Sequence, residues 1–382
     1  MKKILIVHTK YQNIGGEDIA VENEVRFLEK YFDVKSLYFT NKIENYFNDL
    51  SLFILNKNRK SMKKLENMID SFKPDYVYVH NTWFKGSLGI YKVLLDRNIQ
   101  AILKLHNFRY FCTKSYLLKN HLDGNTTCNA CGIKFRKGKI FNKYFDDSYI
   151  KSFLAIRFGR KLVSLLKSSK FKILVLTDFH KKFITNLGVN KNTVFNMPNY
   201  IDFNYDNLED SKEDYILYAG RISKEKGLNE LIESFKKANI PNLSLKIIGN
   251  GPILNDLKAK HQSTNIELLG EKTNKEVINY IKNSRAVVTA TKLFEGQPTF
   301  LCEASLLGVP SIFPKSGGIE EFFPNKYNLS YNQFDYVDLI SKFELLENLD
   351  TIKKIGIENK EYIKNYLNKN LLIKEFEKIL YE

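Results

Sequence analysis

Two glutamates, Glu295 and Glu303, are the strongest candidates for chemistry in this sequence. The apolar, β-branched run at 286–291 predicts a buried strand before them. Pro298 favours the first turn of a helix, and the apolar spacing after it continues that helix. We therefore expect Glu295 in a strand-to-helix loop, at the sheet edge where α/β proteins bind ligands, and Glu303 within the helix. Spacing alone equally allows two glutamates without a role, one in a loop and one on an exposed helix face.

Cations and glycines follow other predicted strands of the same half. Arg221 follows the strand at 215–220, Lys226 and Gly227 open the next helix, and Gly317 follows the strand at 310–314. Two cations near helix N-termini are well suited to a diphosphate, because both supply positive charge and hydrogen-bond donors. Neither cation alone would indicate a site, because exposed lysine and arginine are common.

The first half offers a second group of candidates. Gly15 and Gly16 precede a predicted helix, and paired glycines let a backbone approach a ligand closely. His80 and His106 each end a predicted strand, at 76–80 and 101–106. A lone histidine is usually structural, but two at strand ends beside a Gly-Gly loop predict a shared site.

The elements that must position these residues form two alternating series. We predict parallel strands at 4–7, 76–80, 101–106 and 173–177, then at 215–220, 244–249, 265–269, 286–291 and 310–314, with helices between them. The pattern breaks at Asn196–Asp202 and in the polar stretch that follows. The sequence thus predicts an α/β protein with parallel sheets in two domains, at 1–197 and 198–368.

Charge divides unevenly along the 382 residues, whose formal net charge is +16. Residues 1–195 hold 35 Lys and Arg against 16 Asp and Glu, whereas residues 196–382 hold 24 against 27. A basic first half attracts nucleic acid, anionic lipid or phosphorylated substrates, unless it only keeps the protein soluble. Nucleic acid is the poorest fit, because no nucleic-acid-binding module is recognisable.

The segment 134–172 concentrates this charge, with twelve Lys and Arg among eight phenylalanines and tyrosines. Such a segment lies on an anionic membrane surface in some proteins. In others it is a core helix whose lysine stems cover apolar surface. The sequence leaves both interpretations open.

The cysteines and the hydropathy of the sequence bear on a metal site, a membrane span and the cellular compartment. Cys112, His121, Cys128 and Cys131 include one C-x-x-C pair and could hold zinc, but their wide spacing argues against it, and we expect no metal. No apolar run approaches the roughly 18 residues of a membrane span, and the short apolar start favours a strand over a signal peptide. We therefore expect a cytoplasmic protein with mostly reduced thiols.

With these residues in view, the chain resembles the retaining glycosyltransferases of family four, which have the GT-B fold of two Rossmann-like domains facing a central cleft. The resemblance is specific over 215–325 and looser in the first half. It implies that a C-terminal helix within 369–382 packs back toward the first domain. The residues that carry it are Gly15-Gly16, His106, Asn199–Asp202, Ala219–Arg221, Lys226-Gly227, Gly249–Pro252, Glu295–Glu303 and Gly317–Glu320.

The resemblance also implies roles. Arg221 and Lys226 would neutralise the donor diphosphate as it leaves, Glu295 would face the donor sugar, and Glu303 would hold the ribose hydroxyls. The remaining donor contacts would come from Gly15, Gly16, Gly296, Gln297, Pro298 and Thr299, and the acceptor side would be His80, His106, Asn107 and Arg109, with His106 beside the reacting centre. Gln297-Pro298 departs from the family's aromatic-glycine pair, and Tyr200 stands where a glycine is common.

The implied activity is transfer of a sugar from a nucleotide-diphosphate sugar to a glycan or lipid-linked acceptor, in the synthesis of a cell-surface polysaccharide. The partners would be the nucleotide sugar, that acceptor and the anionic inner face of the cytoplasmic membrane, without nucleic acid. No Asp-x-Asp pair is present to hold a metal and diphosphate, so no cofactor is expected. The alternatives are a nucleotide-sugar epimerase, a non-catalytic sugar-nucleotide sensor and, as an outsider, a nucleic-acid-binding protein.

Overall fold

A computed structural model describes residues 1–12, 15–42, 51–52, 54–108, 149–202, 213–261 and 265–381. The chain forms two compact units. The first runs to Tyr200 and takes in the last helix, which begins at Lys369, whereas the second runs from Ile201 to Asn368. The division falls three residues beyond the predicted end of the first domain at 197.

The first unit is built on a six-stranded sheet whose strands are all parallel, in the order β2-β1-β3-β4-β5-β6. All four strands predicted from apolar runs are present. The two that were not predicted, β2 and β6, lie at the edges, where β2 alternates between exposed and buried residues. The strands are β1 Lys3–Lys10, β2 Asp33–Thr40, β3 Tyr76–Val79, β4 Ala101–Leu105, β5 Lys172–Val175 and β6 Val194–Asn196.

Helices cover this sheet, and the last of them comes from the end of the chain. Tyr76 Oη donates a hydrogen bond to the carbonyl of Leu380 at 3.0 Å, and the Phe376 ring packs against Phe32 and Tyr78. The final helix is thus part of the first unit's core. The helices are α1 Gly16–Leu28, α2 Arg59–Phe72, α3 Gly89–Asp96, α4 Tyr149–Ser168, α5 Asp178–Asn186 and α12 Lys369–Tyr381.

Helix α4 decides part of the question left open for the basic segment 134–172. Leu154, Phe158 and Leu162 are buried, and the Phe158 ring meets Trp83 edge to face at 4.9 Å. This face is a core face, as the second interpretation held. Ile150 and Phe153 remain 72% and 46% exposed at the start of the helix. The basic residues Arg136, Lys137, Lys139 and Lys143 lie outside the described residues.

The second unit repeats the architecture, with six parallel strands in the order β12-β11-β10-β7-β8-β9. The five predicted strands are confirmed, although β10 is shorter than the predicted 286–291, and the edge strand β12 was not predicted. Two six-stranded parallel sheets confirm the α/β class. The strands are β7 Tyr215–Ala219, β8 Ser244–Ile248, β9 Ile266–Gly270, β10 Ala286–Val288, β11 Ser311–Lys315 and β12 Ser330–Asn332.

The helices of the second unit connect these strands and supply the loops that matter below. Lys226 ends a short 3₁₀ turn and so precedes the helix that it was predicted to open. A second 3₁₀ turn spans Ile319–Phe322. The α-helices are α6 Leu228–Ala238, α7 Leu254–Lys260, α8 Asn274–Asn283, α9 Thr299–Leu306, α10 Tyr336–Glu344 and α11 Leu349–Tyr366.

Each sheet has one place where the strand order reverses direction, and ligands of open α/β sheets bind outside the carboxyl ends of the strands there. In the first unit this place lies between β1 and β3, and in the second it lies between β7 and β10. The loops after those strands carry Gly15, Gly16 and His80 in the first unit, and Arg221, Lys226 and Glu295 in the second.

Candidate functional site

In the second unit, Lys226 and Glu295 form an ion pair at the carboxyl ends of β7 and β10. Lys226 Nζ donates to Glu295 Oε1 at 2.5 Å, and both side chains are about a quarter exposed, at 26% each. Thr291 Oγ1 donates to the same oxygen at 3.0 Å. The structure thus brings together a cation and a carboxylate 69 residues apart in the chain and leaves both accessible to a ligand.

Two glycines allow this contact because backbone passes where a side chain would stand. Gly317 pairs with Glu295 as an isolated parallel bridge, and a Cβ on Gly317 would lie 2.4 Å from the Glu295 carbonyl oxygen. A Cβ on Gly227 would lie 2.1 Å from the carbonyl oxygen of Ala290. Both glycines have positive φ, at +64° and +69°, so both the close approach and the backbone conformation call for glycine.

Glu303 lies on α9, as predicted, and its side chain is half-buried. Burial raises the pKa of Glu303 to about 7, from an ordinary value of 4.5, because the charged form loses hydration there. Near neutral pH this carboxyl group therefore exists in both forms. When ionised, it offers two acceptor oxygens to hydroxyl donors.

The raised pKa of Glu303 predicts a pH-dependent stability. The folded chain keeps this proton as pH rises through 4.5, whereas the unfolded chain releases it, so stability falls between about pH 4.5 and 7 and is level above. The loss from this residue is about 3 kcal/mol. We expect Glu303→Gln to remove it, which urea unfolding at pH 5 and pH 8 measures against wild type. Glu358→Gln, on the exposed face of α11, is the control, and equal pH dependence in wild type and Glu303→Gln would contradict the prediction.

The other residues predicted for the donor lie in or beside the same loop. Gly296 and Gln297 are buried, and the Gln297 side chain is directed inward to the Cys302 thiol. Pro298 precedes the helix that it was predicted to begin, and its carbonyl accepts a bond from the Cys302 N–H at 3.0 Å. Thr299 is the first residue of that helix and is half-buried.

Arg221 follows β7 with an exposed side chain, one residue beyond Gly220. Its backbone carbonyl accepts a hydrogen bond from Tyr218 Oη at 3.0 Å, which fixes the loop but leaves the guanidinium in solvent. Arg221 and Lys226 therefore lie in the same loop after β7. The two cations differ in their surroundings, because Lys226 is paired with the Glu295 carboxylate and the Arg221 side chain is exposed.

In the first unit, Asp18 organises the loop that carries Gly15 and Gly16. One carboxylate oxygen accepts a bond from the Gly15 N–H at 2.9 Å, and the other lies 2.8 Å from His8 Nε2. Both His8 and Asp18 are buried. Gly16 begins α1 and is exposed, and a Cβ added there would meet no atom within 4 Å. Buried Asp18 thus fixes the start of α1, and exposed Gly16 leaves it accessible, as anion binding at a helix N-terminus requires.

His80 and His106 meet at the carboxyl ends of β3 and β4, as the sequence predicted. His80 Nδ1 lies 2.9 Å from His106 Nε2, and the rings stack with centroids 5.2 Å apart. Burial lowers the pKa of both imidazoles well below 6.5, so both are neutral at pH 7. His80 Nε2 and His106 Nδ1 are buried and have no hydrogen-bond partner among the described residues.

Asn107 connects this histidine pair to helix α1. Its side-chain amide donates to Glu17 Oε2 at 2.9 Å, and the Tyr11 hydroxyl donates to the same oxygen at 2.8 Å. Three of the four residues predicted for the acceptor side thus lie in one cluster, which also includes Glu17. The fourth, Arg109, lies outside the described residues, as do Cys112, His121, Cys128 and Cys131.

Sequence reasoning missed several polar residues of these clusters. Thr291 and Asp18 are short side chains whose role depends on a folded loop, and nothing in their local pattern marks them. Lys104 is different, because it interrupts the apolar strand Ala101–Leu105 and is fully buried. A lysine inside a buried strand was a signal available from sequence.

The described residues also bear on metals and membranes. Among these residues, no three His, Cys, Asp or Glu side chains are grouped as metal ligands would be. No described helix has both the length and the apolar composition needed to cross a bilayer.

Comparison with known proteins relates the chain to glycosyltransferases. The family model described as glycosyl transferases group 1 matches residues 202–367, which include every candidate residue of the second unit. An uncharacterized glycosyltransferase of Methanocaldococcus jannaschii is 24% identical over 379 residues, covering 95% of this chain and 94% of the relative. The capsular polysaccharide biosynthesis glycosyltransferase CapM of Staphylococcus aureus is 23% identical, with 86% and 89% covered.

A solved structure extends the likeness to the whole fold. The crystal structure of HepE from Anabaena in complex with UDP-glucose aligns over 100% of both chains, with a TM-score of 0.71 and 12% sequence identity. The two units of this chain have the GT-B fold.

Proposed function

Since residues 202–367 are a glycosyl transferases group 1 domain, we propose that this protein transfers a sugar from a nucleotide-diphosphate sugar to a hydroxyl group of a glycan or lipid-linked acceptor. The observation that carries the proposal is the Lys226–Glu295 pair at the place where the second sheet reverses its strand order. That place is where an open α/β sheet binds a nucleotide.

In this proposal, the cations of the second unit serve the leaving group. Breaking the anomeric C–O bond leaves negative charge on the diphosphate, and fixed positive charge is the main requirement for stabilising it. Lys226 is held in place by Glu295, so it meets the phosphates already oriented, and exposed Arg221 adds a second charge. With both cations present, the reaction proceeds without a metal.

Glu295 and Glu303 take different parts of the donor. Glu295 has one oxygen bonded to Lys226 and Thr291, and the other is available to a sugar hydroxyl. Glu303 accepts hydrogen bonds from the ribose hydroxyls in its ionised form. This assignment is supported by the raised pKa of Glu303, because a buried carboxyl group is stabilised as a carboxylate when hydroxyl donors replace lost water.

The first unit would bind the acceptor. Neutral imidazoles have one donor and one acceptor nitrogen each. After their mutual bond, His80 and His106 each retain one nitrogen that no described residue partners. Such a pair suits an uncharged hydroxyl better than a phosphate. Asn107 and Glu17 line the same small cavity. His106 is the residue that we place beside the reacting centre.

The acceptor class is proposed from the relatives and the charge distribution. CapM is named for capsular polysaccharide biosynthesis, and we extend this role in surface-polysaccharide synthesis to the present chain. The positive excess in residues 1–195 and the exposed Ile150 and Phe153 support approach of the first unit to an anionic membrane, where a lipid-linked acceptor would be met.

We expect the purified protein to release nucleoside diphosphate from one nucleotide sugar when a lipid extract is added, with activity unchanged by EDTA. NMR of the product should show the anomeric configuration of the donor. Loss of activity in EDTA with recovery in Mg²⁺ or Mn²⁺ would contradict metal independence, and an inverted product would contradict retention.

Turnover of the donor to an isomeric nucleotide sugar without acceptor would instead establish an epimerase. A water-soluble oligosaccharide tested in parallel separates glycan from lipid-linked acceptors.

A further inference from the structure

Lys104 is a fully buried charged residue that the proposed mechanism does not use. Its Nζ donates to both carboxylate oxygens of Glu24, at 2.9 and 3.0 Å. Tyr78 Oη donates to Glu24 Oε1 at 2.7 Å. All three side chains are almost completely buried. We call these three residues the buried triad. A buried charge requires such compensation, and apolar residues of similar volume would often be equally stable in its place.

The buried triad joins three elements that each lead to a candidate site residue. Glu24 lies on α1, whose first residue is Gly16, while Tyr78 lies on β3 and Lys104 on β4. His80 and His106 follow Tyr78 and Lys104 by two residues. Because side chains alternate along a strand, each histidine is expected on the same face as its triad residue.

Direct contacts connect the triad to the histidine pair. The Tyr78 and His80 rings have centroids 4.3 Å apart. Lys104 lines the same small cavity as His80, His106, Asn107 and Glu17. The charge of Lys104 also helps to lower the pKa of both imidazoles, after the larger effect of burial. The triad therefore borders the proposed acceptor site, Lys104 by lining its cavity and Tyr78 by packing on His80.

We propose that Lys104 is a positioning residue which, through Glu24 and Tyr78, fixes α1 against β3 and β4 and so holds the His80–His106 pair in register with the glycine loop. The assignment of that pair to the acceptor rests on the proposed function, whereas the positioning itself does not. Lys104 touches no substrate in this proposal, and its effect reaches the reaction through the two histidines.

A triple variant tests the proposal: Tyr78→Phe, Glu24→Leu and Lys104→Met. It removes every polar group of the triad together, so no buried charge or hydroxyl is left without a partner, and the chain is expected to fold. Lys92→Met, which breaks the exposed Lys92–Asp96 pair on α3, is the control. Circular dichroism establishes that each variant is folded.

The first measurement is NMR of the full chain labelled at its histidines. The wild type and Lys92→Met should show a hydrogen-bonded imidazole N–H with coupling between His80 Nδ1 and His106 Nε2, assigned by His80→Gln and His106→Gln. The triple variant should lose this signal. Its persistence in the folded triple variant would overturn the proposal, whatever the protein's activity.

The second measurement is transfer kinetics under the assay of the proposed function. We expect the triple variant to lower kcat about 10- to 100-fold, the cost of a small misplacement of reacting groups, with the donor KM changed by less than about threefold. Wild-type kcat in the triple variant would overturn the proposal. Loss of the NMR signal in the triple variant, with a wild type that transfers no sugar, would support the positioning role and contradict the proposed function instead.

Discussion

Replacing Lys226 with methionine is expected to lower kcat/KM for sugar transfer by about 100- to 1,000-fold, the effect of removing one charged donor from a developing anion. Methionine keeps much of the length and apolar volume of the lysine stem and removes the charge. The loss should be largest in kcat, because the diphosphate gains most of its charge as the anomeric bond breaks. Initial rates at varied nucleotide sugar separate kcat from KM.

The control for this variant is Lys342→Met. Lys342 forms an ion pair with Asp338 at 3.1 Å, and its side chain is 19% exposed, close to the 26% of Lys226. It lies on α10, away from the loops after β7 and β10. Wild-type rates in Lys342→Met and a deep loss in Lys226→Met would assign the effect to position. A Lys226→Met variant within twofold of wild type would contradict the assignment of this cation to the leaving group.

The second large effect is expected from two glycine-to-alanine substitutions, of which one should lower stability and activity and the other should weaken donor binding. Gly317→Ala must move the Glu295 backbone, because its Cβ would lie 2.4 Å from the Glu295 carbonyl oxygen and 2.7 Å from its nitrogen. The left-handed φ of +64° costs about another 1–2 kcal/mol for alanine. We expect a lower Tm together with loss of transfer, because Glu295 loses its position beside Lys226.

Gly16→Ala should leave stability unchanged or slightly higher, because a Cβ there meets no atom within 4 Å and alanine favours helix. If the donor phosphates approach the start of α1, the added methyl group occupies their place, and the donor KM should rise at least about tenfold. Thermal unfolding and kinetics of both variants measure this contrast. A Gly16→Ala variant with wild-type KM would remove Gly16 from the donor site, and a Gly317→Ala variant with wild-type Tm and rate would contradict the close contact.

Much of the fold followed from sequence because its strands are buried on both faces. Continuous apolar runs such as Ile4–Val7 are typical of buried parallel strands, and nine of the twelve strands in the described part of the chain were predicted. Edge strands such as β2 escaped because their exposed residues interrupt the apolar run. The position of Glu295 and Glu303, one in a loop and one on a helix, followed from the strand, proline and helix signals around them.

The contacts within the site were less predictable. Lys226 and Glu295 were expected at the same sheet edge, but their ion pair depends on how two loops fold against Gly227 and Gly317. The buried triad was missed for a related reason. Glu24, Tyr78 and Lys104 are distant in sequence, and only the register of β3 with β4 and the packing of α1 bring them together.

Calorimetric titration of UDP into the protein in EDTA tests whether the proposed donor site binds a nucleoside diphosphate without a metal, because it requires neither the acceptor nor the donor sugar. We expect metal-free binding by the wild type and by Lys342→Met. We also expect at least about tenfold weaker binding by Arg221→Met and Lys226→Met, the cost of one charge-assisted hydrogen bond. GDP and ADP titrated alongside UDP identify the base. Failure of all three nucleotides to bind the wild type, or equal affinity in the wild type and both cation variants, would contradict the proposed donor site.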